Sequence, residues 1–200
     1  LGCSPDDVEF DGEKVVNLKT KEEITRKEIG NKVMCSSNAP LSATEAFSSP
    51  VSPPPFMVGI AEVEIDKETG VVEPIDYAAV VDCGTVVNPN LARVQTEGGI
   101  AQGIGMALYE DIIYSEKGKN YSNSFMQYKI PSRLDVGEIR VEFESSYEPT
   151  GPFGAKSIGE IVINTPSPAI SNAVQNAVGV IVRELPITAE KVYKGMAEKE

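Results

Sequence analysis

The sequence predicts a mixed α/β fold, in which a long antiparallel hairpin and a further strand pack against glycine-rich and C-terminal helices. Three observations carry that prediction. Met57 to Ile65 and Val71 to Val81 read as two strands joined by a turn at Asp66–Gly70; Met57, Gly59, Ala61, Val63 and Ile65 share one face, and Glu62 and Glu64 lie on the other. Leu91 to Asp111 carries a helical pattern that contains Gly98, Gly99, Gly103 and Gly105. The last third of the chain repeats helix starts of the cap-then-proline or cap-then-acid kind.

Each element follows from local chemistry. Ser4-Pro5-Asp6-Asp7 suits a turn or short helix, and Val8 to Val16 alternates around Asp11-Gly12 as a small hairpin. Thr25 to Ile29 begins a short helix. Residues 39–55, rich in Ser, Ala and Pro, read as an extended connection, so residues 1–55 form a peripheral lead-in and 56–200 the main domain. Pro74 is expected where the hairpin needs no N–H donor. Asp82 to Asn90 is a loop by its Gly and Asn-Pro signals. Ser115 to Asn120 is a turn, Phe125 to Ile130 a short extended piece, and Ile139 to Phe143 a strand. Ser167-Pro168 reads as an N-cap followed by the first helical residue. The apolar stripe Ile170, Ala173, Val174, Ala177 and Val178 follows, and Gly179 caps its end. Thr188 with Glu190 starts a last helix that frays into Lys and Glu.

Composition excludes several classes of function. The formal charge of −12, from 18 basic and 30 acidic residues, disfavours a nucleic-acid or anionic-membrane partner, each of which needs a basic footprint. There is no apolar run long enough to span a bilayer. With no histidine, the chain holds no His-dependent triad and no His-ligated metal. Cys3, Cys35 and Cys83 are widely spaced and match no zinc or iron–sulfur pattern, so they read as reduced thiols of a cytoplasmic protein. The start Leu-Gly-Cys-Ser-Pro is that expected of a fragment or a processed product.

Two segments carry chemistry. In Gly154-Ala155-Lys156-Ser157-Ile158-Gly159-Glu160, the glycines let backbone N–H groups approach an anionic ligand, and Lys156 adds a positive charge. Glu160 at the end of the loop becomes a general base if part-buried. Read alone, the same residues also describe a solvated loop with a surface carboxylate. In Gln95 to Gly105, two glutamines stand among bare backbone, which suits phosphate or pterin-like edges or, equally, a tight helix–helix contact. Four interior glycines cost a helix about 1 kcal/mol each relative to Ala, so propensity alone does not select them.

Together these pieces resemble a known family. The order is Val81-Asp82-Cys83-Gly84…Asn88-Pro89, then Gln95-x-Glu97-Gly98-Gly99-x-x-Gln102-Gly103-x-Gly105, then Tyr128-x-Ile130-Pro131. Gly154-Ala155-Lys156-x-x-Gly159-Glu160 and Leu185-Pro186-Ile187-Thr188 follow. This resembles the C-terminal part of the molybdopterin-binding (large) subunit of the xanthine dehydrogenase and aldehyde oxidase family, from about Phe56 to the C-terminus and more loosely through residues 1–40. The resemblance implies the molybdopterin-binding fold of the xanthine dehydrogenase type. It also implies hydroxylation of a purine, another N-heterocycle or an aldehyde, with water as oxygen source. By resemblance the catalytic base is Glu160. The cofactor-binding residues are Gln95, Gly98, Gly99, Gly154, Ala155, Lys156, Ser157, Ile158 and Gly159. Molybdenum is held through the pterin dithiolene, with no direct protein ligand on this chain; the cytosine dinucleotide form of the pterin is left open. Iron–sulfur centres and FAD are implied on partner domains or subunits, and the remainder of the molybdenum subunit is itself a partner. Ser157 and Ile161 depart from the family's pattern, which often has Gly and Pro there. Two other readings stand beside the enzyme: a non-catalytic assembly module of the same fold, and a free-standing phosphate-ligand binder.

Overall fold

The protein is described from a computed structural model covering residues 1–36, 42–46 and 48–198. It divides into two compact units, Leu1–Phe47 and Ser48–Glu200. Part of the Ser/Pro-rich connection (residues 39–41 and 47) and the last two residues of the C-terminal fray lie outside the described residues.

In the first unit, a single 3-10 turn at Pro5–Asp7 is capped by Ser4. Strands β1 (Val8–Phe10) and β2 (Lys14–Asn17) form the expected hairpin, with Asp11 Oδ1 accepting from the N–H groups of Glu13 and Lys14. A third strand, β3 (Glu23–Thr25), pairs with β2 and was not expected from the sequence. Helix α1 (Arg26–Ser36) follows directly, with Glu28 bonded back to Thr25.

The second unit is built on the long hairpin. Strand β4 (Phe56–Ile65) pairs antiparallel with β5 (Val72–Asp82). Met57, Ala61, Val63 and Ile65 pack against the core. The register shifts between Glu62 and Val63, because Glu62 faces Asp76 while Val63 faces Pro74. This bulge absorbs the proline, which has no N–H to give the ladder. The turn closes on Gly70, at φ +77°, whose N–H donates to Asp66 O. Strand β6 (Glu138–Phe143) adds to β5 in parallel.

Helix α2 (Pro89–Leu108) is capped by Asn88, whose side chain accepts from Leu91 N–H at 3.1 Å. Two further helices close the site region, α3 (Ile161–Asn164) and α4 (Pro166–Val178). Helix α5 (Ala189–Ala197) begins at Thr188 as expected. Tyr77, Ile100, Ile104, Ile170, Val174, Ile187 and Val192 make the fully buried centre. Among the described residues no helix is long and apolar enough to cross a membrane.

Three expectations are corrected. The stretch Phe125 to Ile130 is not extended: Ser124 O accepts from the N–H groups of both Gln127 and Tyr128, which makes a turn. Helix α4 starts two residues before Ser167-Pro168, with Thr165 as the cap position and Pro166 first. Pro166 is buried against the bare backbone of Gly103, and Pro168 still lies in the first turn, where a missing N–H costs nothing. Ala177 is exposed, so the buried stripe narrows to Ile170 and Val174, with Ala173 and Val178 at its edge. Gly179 ends the helix at φ +73°, as expected.

Candidate functional site

Two loops meet where β5 ends. Gly84 and Ala155 form an antiparallel bridge, Thr85 N–H donates to Gly154 O at 2.8 Å, and Lys156 N–H donates to Cys83 O at 2.7 Å. Gly84 sits at φ +69°, and a Cβ there would stand 2.3 Å from Gly154 O. Both the backbone conformation and the close approach therefore require glycine. Cys83 is buried beneath this seam, and burial pushes its thiol pKa up.

Lys156 does not offer a free charge. Its ammonium donates to Asp82 Oδ2 at 2.7 Å, and its side chain is 7% exposed. Asp82 also accepts from Ser146 Oγ at 2.5 Å and from Gly84 N–H at 3.0 Å. The Lys156 ammonium first, then these two donors, hold the Asp82 carboxyl down to about 2. The expectation that Lys156 presents its charge to a ligand is thus corrected: the neighbouring carboxylate takes it. The next residues carry the open donors. Among the described residues, no acceptor lies within hydrogen-bond reach of the Ser157 and Ile158 N–H groups.

Glu160 follows as the residue before α3, in a right-handed helical conformation, with its side chain not used as a cap. It is exposed, so the part burial on which its role as a base was conditioned is not supplied by the described residues, and among them its carboxylate accepts no hydrogen bond. It stands beside α2 because that helix packs closely on α3 and α4. A Cβ on Gly99 would lie 2.1 Å from Val162 Cγ2, and one on Gly103 2.6 Å from Pro166 Cγ. Gln95 completes the approach by donating its Nε2 to Gly159 O at 3.2 Å.

Two clefts flank that hydrogen bond. One, of about 480 Å³, is lined by Gln95, Gly98, Gln102, Gly159 and Glu160, with Gly99 at its floor. The other, of about 440 Å³, is lined by Thr85, Asn88, Leu91, Ala155, Lys156 and Ile158, with Gln95 and Gly159 shared between the two. The structure thus brings together Gln95, Gly98, Gly99, Gly159 and Glu160, and sets Ala155, Lys156 and Ile158 next door. Gly154 is buried under the loop and Ser157 is exposed outside both clefts. Gln102, the second glutamine of that stretch, joins the first cleft at seven residues from Gln95, a spacing that places both on one helical face. Asp82 was legible only as a loop residue, since its partner is 74 positions away.

Chemically, this arrangement offers unpaired backbone donors, two exposed amide side chains and one carboxylate around bare glycine backbone. Such donors suit an anionic or heteroatom-rich ligand, and the carboxylate can take up a proton.

The family profile described as molybdopterin cofactor-binding domain matches residues 1–137. A subunit gamma of the 6-hydroxypseudooxynicotine dehydrogenase complex from Paenarthrobacter nicotinovorans is 36% identical over 142 residues, covering 70% of this chain and 18% of that protein. A xanthine dehydrogenase molybdenum-binding subunit from Escherichia coli is 34% identical over 155 residues, covering 77% of this chain and 21% of that protein. The solved quinoline 2-oxidoreductase from Pseudomonas putida 86 superimposes with a TM-score of 0.82 at 28% identity, covering 98% of this chain and 26% of that one. The chain therefore spans about a fifth of these curated relatives and about a quarter of the solved chain.

Proposed function

The chain belongs to the molybdopterin cofactor-binding domain family of the xanthine dehydrogenase and aldehyde oxidase type, and from that premise we propose that it forms one wall of a molybdenum–pterin site and supplies the catalytic base, Glu160. The observation that carries this reading is the meeting of Gln95 with the Gly159–Glu160 turn at a cleft floored by bare glycine. The residues fit the group. Gly98 leaves open space where a side chain would stand, the Gln95 and Gln102 amides edge that space, and the Ser157 and Ile158 N–H groups face no protein acceptor.

When bound, the molybdenum pterin supplies a two-electron oxidation that places a water-derived oxygen on a carbon of the substrate. Glu160 takes up the released proton on a carboxylate oxygen, which no hydrogen bond occupies among the described residues. Gln95 orients the cofactor edge while holding the Gly159 carbonyl. The backbone from Ala155 to Ile158 would lie along the pterin. The substrate class is a purine, another N-heterocycle or an aldehyde, and the relatives named for xanthine and quinoline support the heterocycle side of that choice. The remainder of the molybdenum subunit completes the site, and partner domains bearing iron–sulfur centres and a flavin take the electrons. A cytoplasmic setting suits the free Cys3, Cys35 and Cys83.

A second reading, a non-catalytic assembly module, draws on the outer face of β4. There Phe56, Val58 and Ile60 are each more than 60% exposed, which suits packing against another domain. Glu160→Gln in the full enzyme separates the two. Turnover per bound pterin is expected to fall by about 10²–10⁴-fold with pterin content retained. Undiminished turnover, in this variant or with Gln95 also replaced, overturns the catalytic reading in favour of the module.

A further inference from the structure

We infer that Asp82 and Lys156 are positioning residues: their ion pair clamps the end of β5 to the Gly154–Glu160 loop and so sets where Glu160 stands, and neither side chain contacts the ligand. The inference rests on the proposed role of Glu160 and deepens it.

The geometry argues for a clamp over a ligand-binding lysine. A charge withdrawn from water is tolerated when it is paired and its partner's remaining lone pairs are filled. Both conditions hold here. Lys156 Nζ meets Asp82 Oδ2 at 2.7 Å, and Ser146 Oγ and Gly84 N–H fill Asp82 Oδ1. The Phe56 ring covers the ammonium from another side, 5.1 Å from its centroid. Asp82 ends β5 and Lys156 follows Ala155, so the two ends of the pair flank the isolated bridge between Gly84 and Ala155. The side-chain pair and the backbone bonds Thr85 N–H to Gly154 O and Lys156 N–H to Cys83 O therefore hold one register. Glu160 follows Lys156 by four residues, and Gln95 grips Gly159 from the far side. The loop is held at both ends, and the Ser157 and Ile158 N–H groups are presented between them. Positive potential toward an anionic ligand then comes from those backbone groups, because the lysine charge is already neutralised.

The test uses the full enzyme with its partner domains and bound pterin. Asp82→Asn and Lys156→Met are each expected to raise hydrogen exchange in segment 154–160 by about tenfold. Each is expected to lower kcat per bound pterin by about 10- to 100-fold while KM stays within about twofold. The double variant is expected to be no worse than either single one, because both break the same pair. Val174→Ala, a core cavity in α4, supplies equal or greater destabilisation and is expected to leave the kcat-to-KM pattern unchanged. If either charge variant fails to fold, Ser146→Ala, which removes a single bond to Asp82, is expected to loosen the same segment in the same direction.

A lysine that reads an anion behaves differently, since removing Asp82 would free it. Wild-type kcat and exchange in Asp82→Asn, with pterin lost only in Lys156→Met, overturns the clamp. So does an exchange pattern in segment 154–160 that matches the Val174→Ala control. The exchange measurement needs no turnover. If Glu160→Gln keeps full activity, the proposed function falls while the clamp is still judged on exchange.

Discussion

Two neighbouring stripes of α2, which meet at the cleft, use the same residue for opposite ends. On the inner stripe, Gly99 and Gly103 give up their side chains so that Val162 and Pro166 can fill the space. On the outer stripe, Gly98 gives up its side chain and nothing fills the space, while Gln95 and Gln102 border it. The intrinsic cost to the helix is the same at each position, about 1 kcal/mol relative to Ala. The return differs. Inner glycines are repaid in packing that brings α3, and with it Glu160, against the helix. The outer glycine is repaid only by something that enters the cleft. The comparison teaches that the candidate site follows from the packing: close approach on one stripe of α2 delivers the Gly159–Glu160 turn to the rim of the other.

Gly99→Ala is the strongest way to break that relation. Its Cβ would stand 2.1 Å from Val162 Cγ2, and Val162 is 1% exposed, so the methyl cannot be accommodated without moving α3. Overpacking of this kind costs about 1–3 kcal/mol even after the gain in helix propensity. The expected outcome is a lower urea midpoint, together with loss of the Gln95–Gly159 hydrogen bond. Adding Val162→Ala should restore part of the stability; strict additivity of the two changes would show that the contact is not the cause.

A second seam separates the two mechanisms by pH. The α2–α3 contact is apolar, and its contribution is indifferent to protonation. The Asp82–Lys156 seam is ionic. The folded-state pKa of Asp82, about 2, lies below its ordinary value of 3.8. Its stabilisation is therefore fully present above pH 3.8 and is lost as pH falls toward 2. Linkage sets that contribution at about 2 kcal/mol at most, less some screening because the carboxylate is 22% exposed. Asp82→Asn is expected to be less stable than wild type at pH 7, with the gap narrowing between pH 3.8 and 2, whereas the Gly99→Ala gap stays constant. A gap for Asp82→Asn that persists unchanged at pH 2 would assign its effect to packing.

These seams also mark where the sequence stops being legible. The alternation of β4 and β5, the Thr188 cap and the Gly179 terminator are local patterns, and each lies where local chemistry puts it, whereas α2 starts at Pro89 behind the Asn88 cap, two residues before the Leu91 start read from the sequence. The start of α4 was read at Ser167-Pro168, and the structure moves it to Thr165-Pro166, which satisfies the same cap-then-proline rule. Burial of Pro166 on Gly103 decides it, and that contact is tertiary. The parallel pairing of β6, the unexpected β3 and the partner of Lys156 share the same difficulty, since each depends on residues not adjacent in the chain. Within the candidate site, the loop and the helix were each visible as unusual glycine-rich segments. Their combination became readable through the order of several motifs. The exposure of Glu160 was not readable at all, because it depends on how α3 meets α2.

The smallest expected effect has the most diagnostic sign. Gly98→Ala meets open space: beyond its chain neighbours and the backbone of its own helix, no described atom lies within 4 Å of the added methyl. In the cofactor-free chain it should raise stability by up to about 1 kcal/mol through helix propensity. In the pterin-loaded enzyme the same methyl projects into the cleft bordered by Gln95 and Gln102 and should weaken cofactor retention. A stability gain without pterin and a loss of pterin content on assembly, measured for one variant, would identify the outer stripe as a ligand surface. A gain in both states would mean that the space at Gly98 stays empty in the working enzyme, and the contrast between the two stripes of α2 would reduce to packing alone.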